Sequence, residues 1–219
     1  VILAAGKGTR MYSSTPKVLH AIGGQPLLGH VIKSAQALNP SNIHIVVGFE
    51  GELVKEHFAT NSVTWAEQTE QLGTGHAVAQ ALPNIDEDSM VLVLYGDVPL
   101  ITTETLKKLT ALCRPDAVSL LTVNSTDPTG LGRIIRDEQQ RAVAIVEEKD
   151  ANATQKNIRE TNSGILAAPA KKLKQWLAAL SPKNAQGEYY LTDIIAMAVH
   201  DHCAVETLTV DDELEVLGV

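Results

Sequence analysis

Polar and apolar positions along the chain follow two rhythms. "VIL" at residues 1–3, "IHIVV" at 43–47 and "MVLVLY" at 90–95 are apolar runs of strand length. Such runs suit strands buried on both faces, where neither side of the pleat meets water. Between them, apolar residues recur at helical spacing: Leu27, Leu28, Val31, Ile32, Ala35 and Leu38 follow Pro26, whose fixed φ suits a first helical turn. Residues 50–59 and 74–82 are predicted as further helices, and so is "TTETLKKLTAL", capped by Thr102 or Thr103. Alternating strands and helices predict right-handed βαβ units. The fold class is therefore α/β, with a Rossmann-like, mainly parallel sheet and helices on both faces.

The second half changes rhythm. "RIIRDEQQRAVAIVEE" at 133–148 places two strand-like runs around a polar turn, which predicts a hairpin. A strand at "SGILAAP" and a helix over 170–180 follow, and together these read as a small antiparallel β appendage on the parallel core. No internal repeat, low-complexity tract or long linker interrupts the chain, so residues 1–219 are expected to form one domain. "VIL" reads as a strand already under way, so the domain is expected to be truncated.

Composition narrows the class. A chain of 219 residues, 44% hydrophobic and 20% charged, is long enough to bury a full core. No apolar stretch nears the ~20 residues that cross a bilayer, which predicts no membrane partner. Cys113 and Cys203 lie outside any CxxC pattern and fit a reducing, cytoplasmic setting. A formal net charge of −8 argues against a nucleic-acid partner. Its distribution matters more than its sum. Lys7, Arg10, Lys17 and Lys33 are the charged residues before Glu50, so the first 49 positions carry +4 and the rest −12. A cationic region within an acidic chain suits a polyphosphate substrate.

Ligands of open parallel sheets gather beyond the carboxyl ends of the strands. "LAAGKGTR" follows the first strand and "YGD" follows "MVLVL", so both are expected on one crevice. The first loop matches neither the Walker A pattern nor the GxGxxG fingerprint. Its small residues Ala4, Ala5, Gly6 and Gly8 still let backbone N–H groups approach an anion, with Arg10 and Lys17 adding charge-assisted bonds. Asp97 offers a hard oxygen ligand for Mg²⁺, which normally arrives with substrate phosphates and waters. Gly96 beside it is expected to admit a ligand closely.

These residues carry a resemblance. "LAAGKGTRM" with Pro16 and Lys17 is similar to the signature of sugar-nucleotide pyrophosphorylases. "EQLGTGHA", "LYGDVPLI", "DPTGLGRI", "VEEKDA", "ETNSGIL" and "NAQGEYYLTDII" follow in order through nearly the whole chain. Together they resemble the N-acetylglucosamine-1-phosphate uridylyltransferase domain of the bacterial bifunctional GlmU family, of the nucleotide-diphospho-sugar transferase fold type. The resemblance implies a cytoplasmic, Mg²⁺-dependent reaction. UTP and N-acetylglucosamine 1-phosphate give UDP-N-acetylglucosamine, a cell-wall precursor, and pyrophosphate, with no covalent intermediate.

The resemblance also implies roles. Backbone at Leu3, Ala4, Ala5 and Gly6 would hold the nucleotide, with Arg10 toward the leaving pyrophosphate and Lys17 toward the α-phosphate. Gln68 would read uracil through the donor and acceptor of its amide, with Gly73 and Thr74 completing base recognition. Tyr95, Gly96 and Asp97 would border the ribose, the metal and the sugar phosphate. Gly132, Glu147 and Asn162 would bind the amino sugar, with Glu148 a rival for Glu147; Tyr190 and Thr192 would add sugar-side contacts. His76 is read as structural. Two departures stand out. The family's second metal ligand, an asparagine, is expected one residue past Val219, which predicts an incomplete metal site. The hexapeptide-repeat acetyltransferase half, through which full-length members form homotrimers, is not in this sequence. Another sugar-1-phosphate nucleotidyltransferase and a non-catalytic nucleotide-sensing module are the alternative readings.

Overall fold

The computed structural model describes residues 1–6, 8, 13, 15–48 and 50–219. Its strands in chain order are β1 (Ile2–Ala4), β2 (Ala21–Ile22), β3 (Gln25–Pro26), β4 (His44–Val47), β5 (Thr64–Glu67), β6 (Met90–Tyr95), β7 (Ala117–Asn124), β8 (Arg133–Arg136), β9 (Ala142–Val146), β10 (Glu160–Pro169) and β11 (Ala204–Val210). The α-helices are α1 (Leu27–Gln36), α2 (Gly51–His57), α3 (Thr74–Ala81), α4 (Thr103–Leu112), α5 (Ala153–Lys156), α6 (Ala170–Ala179) and α7 (Ile194–His200).

The main sheet runs β11-β7-β10-β6-β1-β4-β5. β1 is parallel to both β4 and β6, with Leu3 opposite Val46 and Tyr95, so the chain leaves β1 and β6 on the same side of the sheet. Strand alternation divides the core. Ile2, Ile45 and Leu94 pack with α1, α2 and α4, through residues such as Leu28, Val54 and Leu106. On the opposite face Val93 packs with α3, α6 and α7, through Val78, Leu173 and Ile194. Burial on both faces is why these strands read as apolar runs.

Local signals hold closely. α4 starts where expected, with Thr102 Oγ1 accepting from the Thr105 backbone N–H at 3.2 Å. Pro26 sits at the N-cap of α1, one residue ahead of the helix. The antiparallel part differs from expectation. Only the hairpin of β8 and β9 is an appendage, joined to β10 where Thr161 faces Arg133. β10 lies inside the main sheet, antiparallel between β6 and β7. Ile165, Leu166, Ala167 and Ala168 are all at most 2% exposed, a burial that only an interior strand provides. The β10–β7 register shifts between Asn162 and Leu166, and Gly164 at φ +85° lies in that break.

Among the described residues no helix is long and apolar enough to cross a membrane. Both cysteines are free, and burial pushes the Cys113 thiol up to about 11, which keeps it an unreactive thiol.

Candidate active site

A cleft of about 250 Å³ opens beyond the carboxyl ends of β1, β5 and β6. Leu3, Ala4, Ala5 and Gly6 form one wall, Gln68, Gly73 and Thr74 another, and Lys17, Tyr95 and Asp97 the third. Parallel pairing of β1 with β6 brings the first loop to Asp97, as the ends of parallel strands require. Among the described residues, nothing lies within 4 Å of a Cβ added at Gly6. Gly96 is different. A Cβ at that position would meet Leu28, the Leu3 carbonyl and Val18 at 3.2–3.3 Å, and its N–H donates to the Leu3 carbonyl. The lack of a side chain at Gly96 therefore serves packing against β1 and α1.

Lys17 begins a 3-10 turn (Lys17–Leu19) directly after Pro16. Its Nζ donates to Asp97 Oδ2 at 2.6 Å, with the two side chains 15% and 26% exposed. A cation and a carboxylate thus meet at the mouth of an otherwise small-residue cleft. Arg10 lies outside the described residues, and so does Lys7. On the far side of Asp97 the chain passes again: the Val219 N–H donates to the Asp97 carbonyl at 3.0 Å, and Gly218 runs beside the carboxylate.

Gln68 is only 3% exposed. Its Nε2 donates to the Gly73 carbonyl at 3.1 Å and lies 3.1 Å from His76 Nδ1. A carbonyl can only accept, so the amide nitrogen must be on this side, and His76 Nδ1 is the second acceptor. Both amide hydrogens are used within the protein. The expectation that Gln68 offers a base both donor and acceptor is corrected: its free end is the Oε1 acceptor. His76, read as structural, holds that orientation. Gly73 has φ +110°, and a Cβ there would lie 2.7 Å from the Tyr189 carbonyl oxygen, so this turn before α3 requires glycine.

Tyr95 lines the cleft and also neighbours a second group of residues around Glu147. Burial raises its phenol above the ordinary range, the negative charges of Glu147 and Asp97 add to that, and the Thr74 hydroxyl opposes it. The ring packs on Gly164, where a Cβ would lie 2.5 Å from a ring carbon. Beyond it, Thr192 Oγ1 donates to Glu147 Oε1 at 2.8 Å, the same oxygen lies 3.4 Å from the Cβ position of Gly132, and the Asn162 N–H donates to the Gly132 carbonyl at 2.8 Å. Four separate chain segments thus converge. Burial raises the Glu147 carboxyl, the Thr192 hydroxyl bond works against that, and the charges of Asp193, Asp150 and Glu188 reinforce it.

The adjacent glutamates differ in their partners among the described residues. Glu148 Oε2 accepts from Arg133 at 2.6 Å, which holds its carboxyl below the usual range, while Glu147 keeps only the hydroxyl of Thr192. Tyr190 is 6% exposed and donates its hydroxyl to Asp150 Oδ2 at 3.2 Å. Its hydroxyl is thus tied to the wall of the site. Gln71 and Glu188 also line the cleft. Glu188 arrives because the Tyr189 N–H donates to the Leu72 carbonyl and the Gly75 N–H to the Tyr189 carbonyl, both at 2.8 Å. No local pattern signals that stitch, although both residues lie in quoted blocks, "EQLGTGHA" and "NAQGEYYLTDII".

Residues 1–155 match the model of the MobA-like NTP transferase domain. The chain belongs to the MobA-like NTP transferase family. Among curated relatives, the bifunctional protein GlmU of Pseudomonas aeruginosa is 58% identical over 219 residues, covering 100% of this chain and 48% of that protein. The Pseudomonas putida protein of the same name is 58% identical over 218 residues, with 100% and 48% covered. The chain spans about half the length of the curated relatives it matches. Two solved structures share the fold. A Bacillus anthracis protein in complex with sucrose aligns at a TM-score of 0.75 with 21% identity, over 96% of this chain and 85% of that one. A nucleotidyl transferase from Methanothermobacter thermautotroptrophicus aligns at 0.69 with 16% identity, over 100% and 89%. The match to the MobA-like NTP transferase domain spans the cleft residues from Leu3 to Asp97, Gly132 and Glu147, whereas Asn162, Tyr190 and Thr192 lie beyond residue 155.

Proposed function

We propose that residues 1–219 are one uridylyltransferase unit, acting in the cytoplasm, that joins UTP to N-acetylglucosamine 1-phosphate and releases pyrophosphate. One observation carries the reading: the carboxylates of the Lys17–Asp97 pair in the cleft and of the Glu147–Thr192 pair both act on a single residue, Tyr95. A nucleotide bound at the first pair and a sugar phosphate at the second would meet there.

Gln68 Oε1 accepts from the imide N–H of uracil, a donor that cytosine lacks at that ring position. Backbone at Gly6 and the Lys17 ammonium receive the phosphates. Glu147 accepts from sugar hydroxyls, and Asn162 engages the amino sugar beside it. An oxygen of the sugar phosphate attacks the α-phosphorus of UTP, the bond from that phosphorus to the bridging oxygen breaks, and pyrophosphate leaves with the electron pair. Both reactants are polyanions, so fixed cations and orientation supply most of what the reaction needs. Lys17 exchanges its carboxylate partner for phosphate as the substrates enter.

The residues fit Mg²⁺ as an ion shared with substrate. Asp97 offers a carboxylate in the cleft, and no cluster of three or more His, Cys, Asp or Glu among the described residues forms a protein cage. Asp97 would hold the ion, and the passage of residues 218–219 beside it supports a further ligand from that part of the chain. When bound, Mg²⁺ neutralises phosphate charge. The test is pyrophosphate release across a panel of nucleoside triphosphates and sugar 1-phosphates. Preference for UTP with N-acetylglucosamine 1-phosphate supports the reading, preference for another pair replaces it, and no release from any pair leaves a binding module. In Asp97→Asn the Mg²⁺ dependence of the rate is expected to shift to higher concentration and the rate to fall strongly with little change in unfolding; an unchanged Mg²⁺ profile removes Asp97 as the ligand.

A further inference from the structure

Among the described residues, Arg133 is the arginine buried inside the protein, at 2% exposure, and no step of the proposed reaction uses it. A guanidinium taken out of water is costly unless its donors are engaged, and such pairs seldom stabilise a fold more than apolar packing does. Its two terminal nitrogens converge on one neighbourhood, while Nε is buried with no hydrogen-bond partner among the described residues. Nη2 donates to Glu148 Oε2 at 2.6 Å and to the Lys156 carbonyl at 3.3 Å, and Nη1 donates to the Leu131 carbonyl. The backbone placement is equally pointed. Gly132 precedes Arg133, Glu147 follows its β9 partner Val146, and Asn162 follows its β10 partner Thr161.

We infer that Arg133 is a positioning residue for the amino-sugar side of the site: by capturing Glu148 and two backbone carbonyls, it turns Glu147 toward Thr192 and Gly132. This rests on the function proposed above. Glu147 leaves the end of β9 and its carbonyl accepts from the Asp150 N–H at 3.0 Å, closing the turn that carries Glu148, so anchoring Glu148 fixes that turn and with it the direction in which Glu147 projects. The planar fork matters as well as the charge, because three acceptors on three segments are met by two nitrogens; a lysine has one point of attachment.

The experiment measures KM for N-acetylglucosamine 1-phosphate, KM for UTP, kcat and thermal unfolding in Arg133→Lys and in the double variant Arg133→Met/Glu148→Gln. The double variant removes both charges, so no unpaired ion is left buried. The sugar-phosphate KM is expected to rise about tenfold or more, as for loss of a charged hydrogen bond, with UTP KM unchanged and the lysine variant closer to the parent. Equal rises in both KM values, or an unchanged sugar-phosphate KM in a folded variant, overturn the inference. If the double variant does not fold, Arg133→Lys alone decides by the same criteria. A carboxyl ¹³C NMR titration of Glu147, which needs no turnover, separates this from a failure of the proposed function. Its titration is expected to return toward the ordinary carboxylate range in Arg133→Lys, and an unaltered curve rejects the positioning role whatever the enzyme's substrates.

Discussion

Replacing Lys17 by methionine keeps the length and apolar stem of the side chain and removes only its charge. Two costs can be set against each other. In the folded protein the lost contact is the 2.6 Å bond to Asp97, whose carboxylate is 26% exposed and can hydrate on its own. Partly exposed pairs of this kind contribute about 1 kcal/mol or less. For a chain of this size that is a fall in Tm of about 2–4 °C. In the proposed reaction the same ammonium, only 15% exposed, would face phosphate oxygens as charge shifts to the leaving pyrophosphate. Removing one such preorganised donor costs about 3–4 kcal/mol, roughly a 100- to 1000-fold loss in kcat. Catalysis should therefore suffer far more than stability. Single-turnover pyrophosphate release, run beside thermal unfolding, measures both. A rate loss below about tenfold, or one that merely tracks a large fall in Tm, refutes the assignment of Lys17 to the phosphates.

Other perturbations separate the two sides of the site. Gln68→Glu abolishes donation to the Gly73 carbonyl and buries a charge, so KM for UTP is expected to rise about tenfold or more while KM for the sugar phosphate stays put; parallel changes in both would count against base readout. Glu147→Gln tests a stability and function conflict. The folded carboxyl titrates above its unfolded value, so its stabilising contribution is full below the unfolded pKa and is lost as pH rises through the folded one. The glutamine variant should thus be more stable than the parent at neutral pH, the advantage vanishing at acid pH, while sugar-phosphate binding weakens; thermal unfolding across pH reads the first part and KM the second. Gly164→Ala places a methyl group 2.5 Å from a Tyr95 ring carbon at a φ of +85°. It is expected to cost about 1–3 kcal/mol in denaturant unfolding and to weaken substrate binding, and a variant with unchanged stability would show that the ring moves freely.

Much of this molecule was legible in one dimension. β1, β4 and β6 are buried on both faces, so their residues are apolar without alternation, and the Thr102 cap and the helix periods are local features that local sequence must encode. β5 and β11, at the sheet edges, are only partly buried and carry Thr and Glu among their apolar residues, and in β7 the fully buried Ser119 and Thr122 interrupt the run, so none of the three stands out as an apolar segment. β10 was visible as a strand, but its place between β6 and β7 was not, since pairing partners are chosen by packing across distant segments.

The candidate site divides along the same line. Residue types and the order of the phosphate loop, Asp97 and the sugar-side blocks are properties of the chain, because the chemistry of polyanions demands cations, small residues and carboxylates wherever they fold together. Which end of the Gln68 amide is free, and which of Glu147 and Glu148 pairs with an arginine, are decided by contacts with Gly73 and Arg133. Each of those is a choice between two orientations of one group. Sequence names the group, and only a neighbour brought in by tertiary packing supplies the partner that makes one orientation lower in free energy than the other.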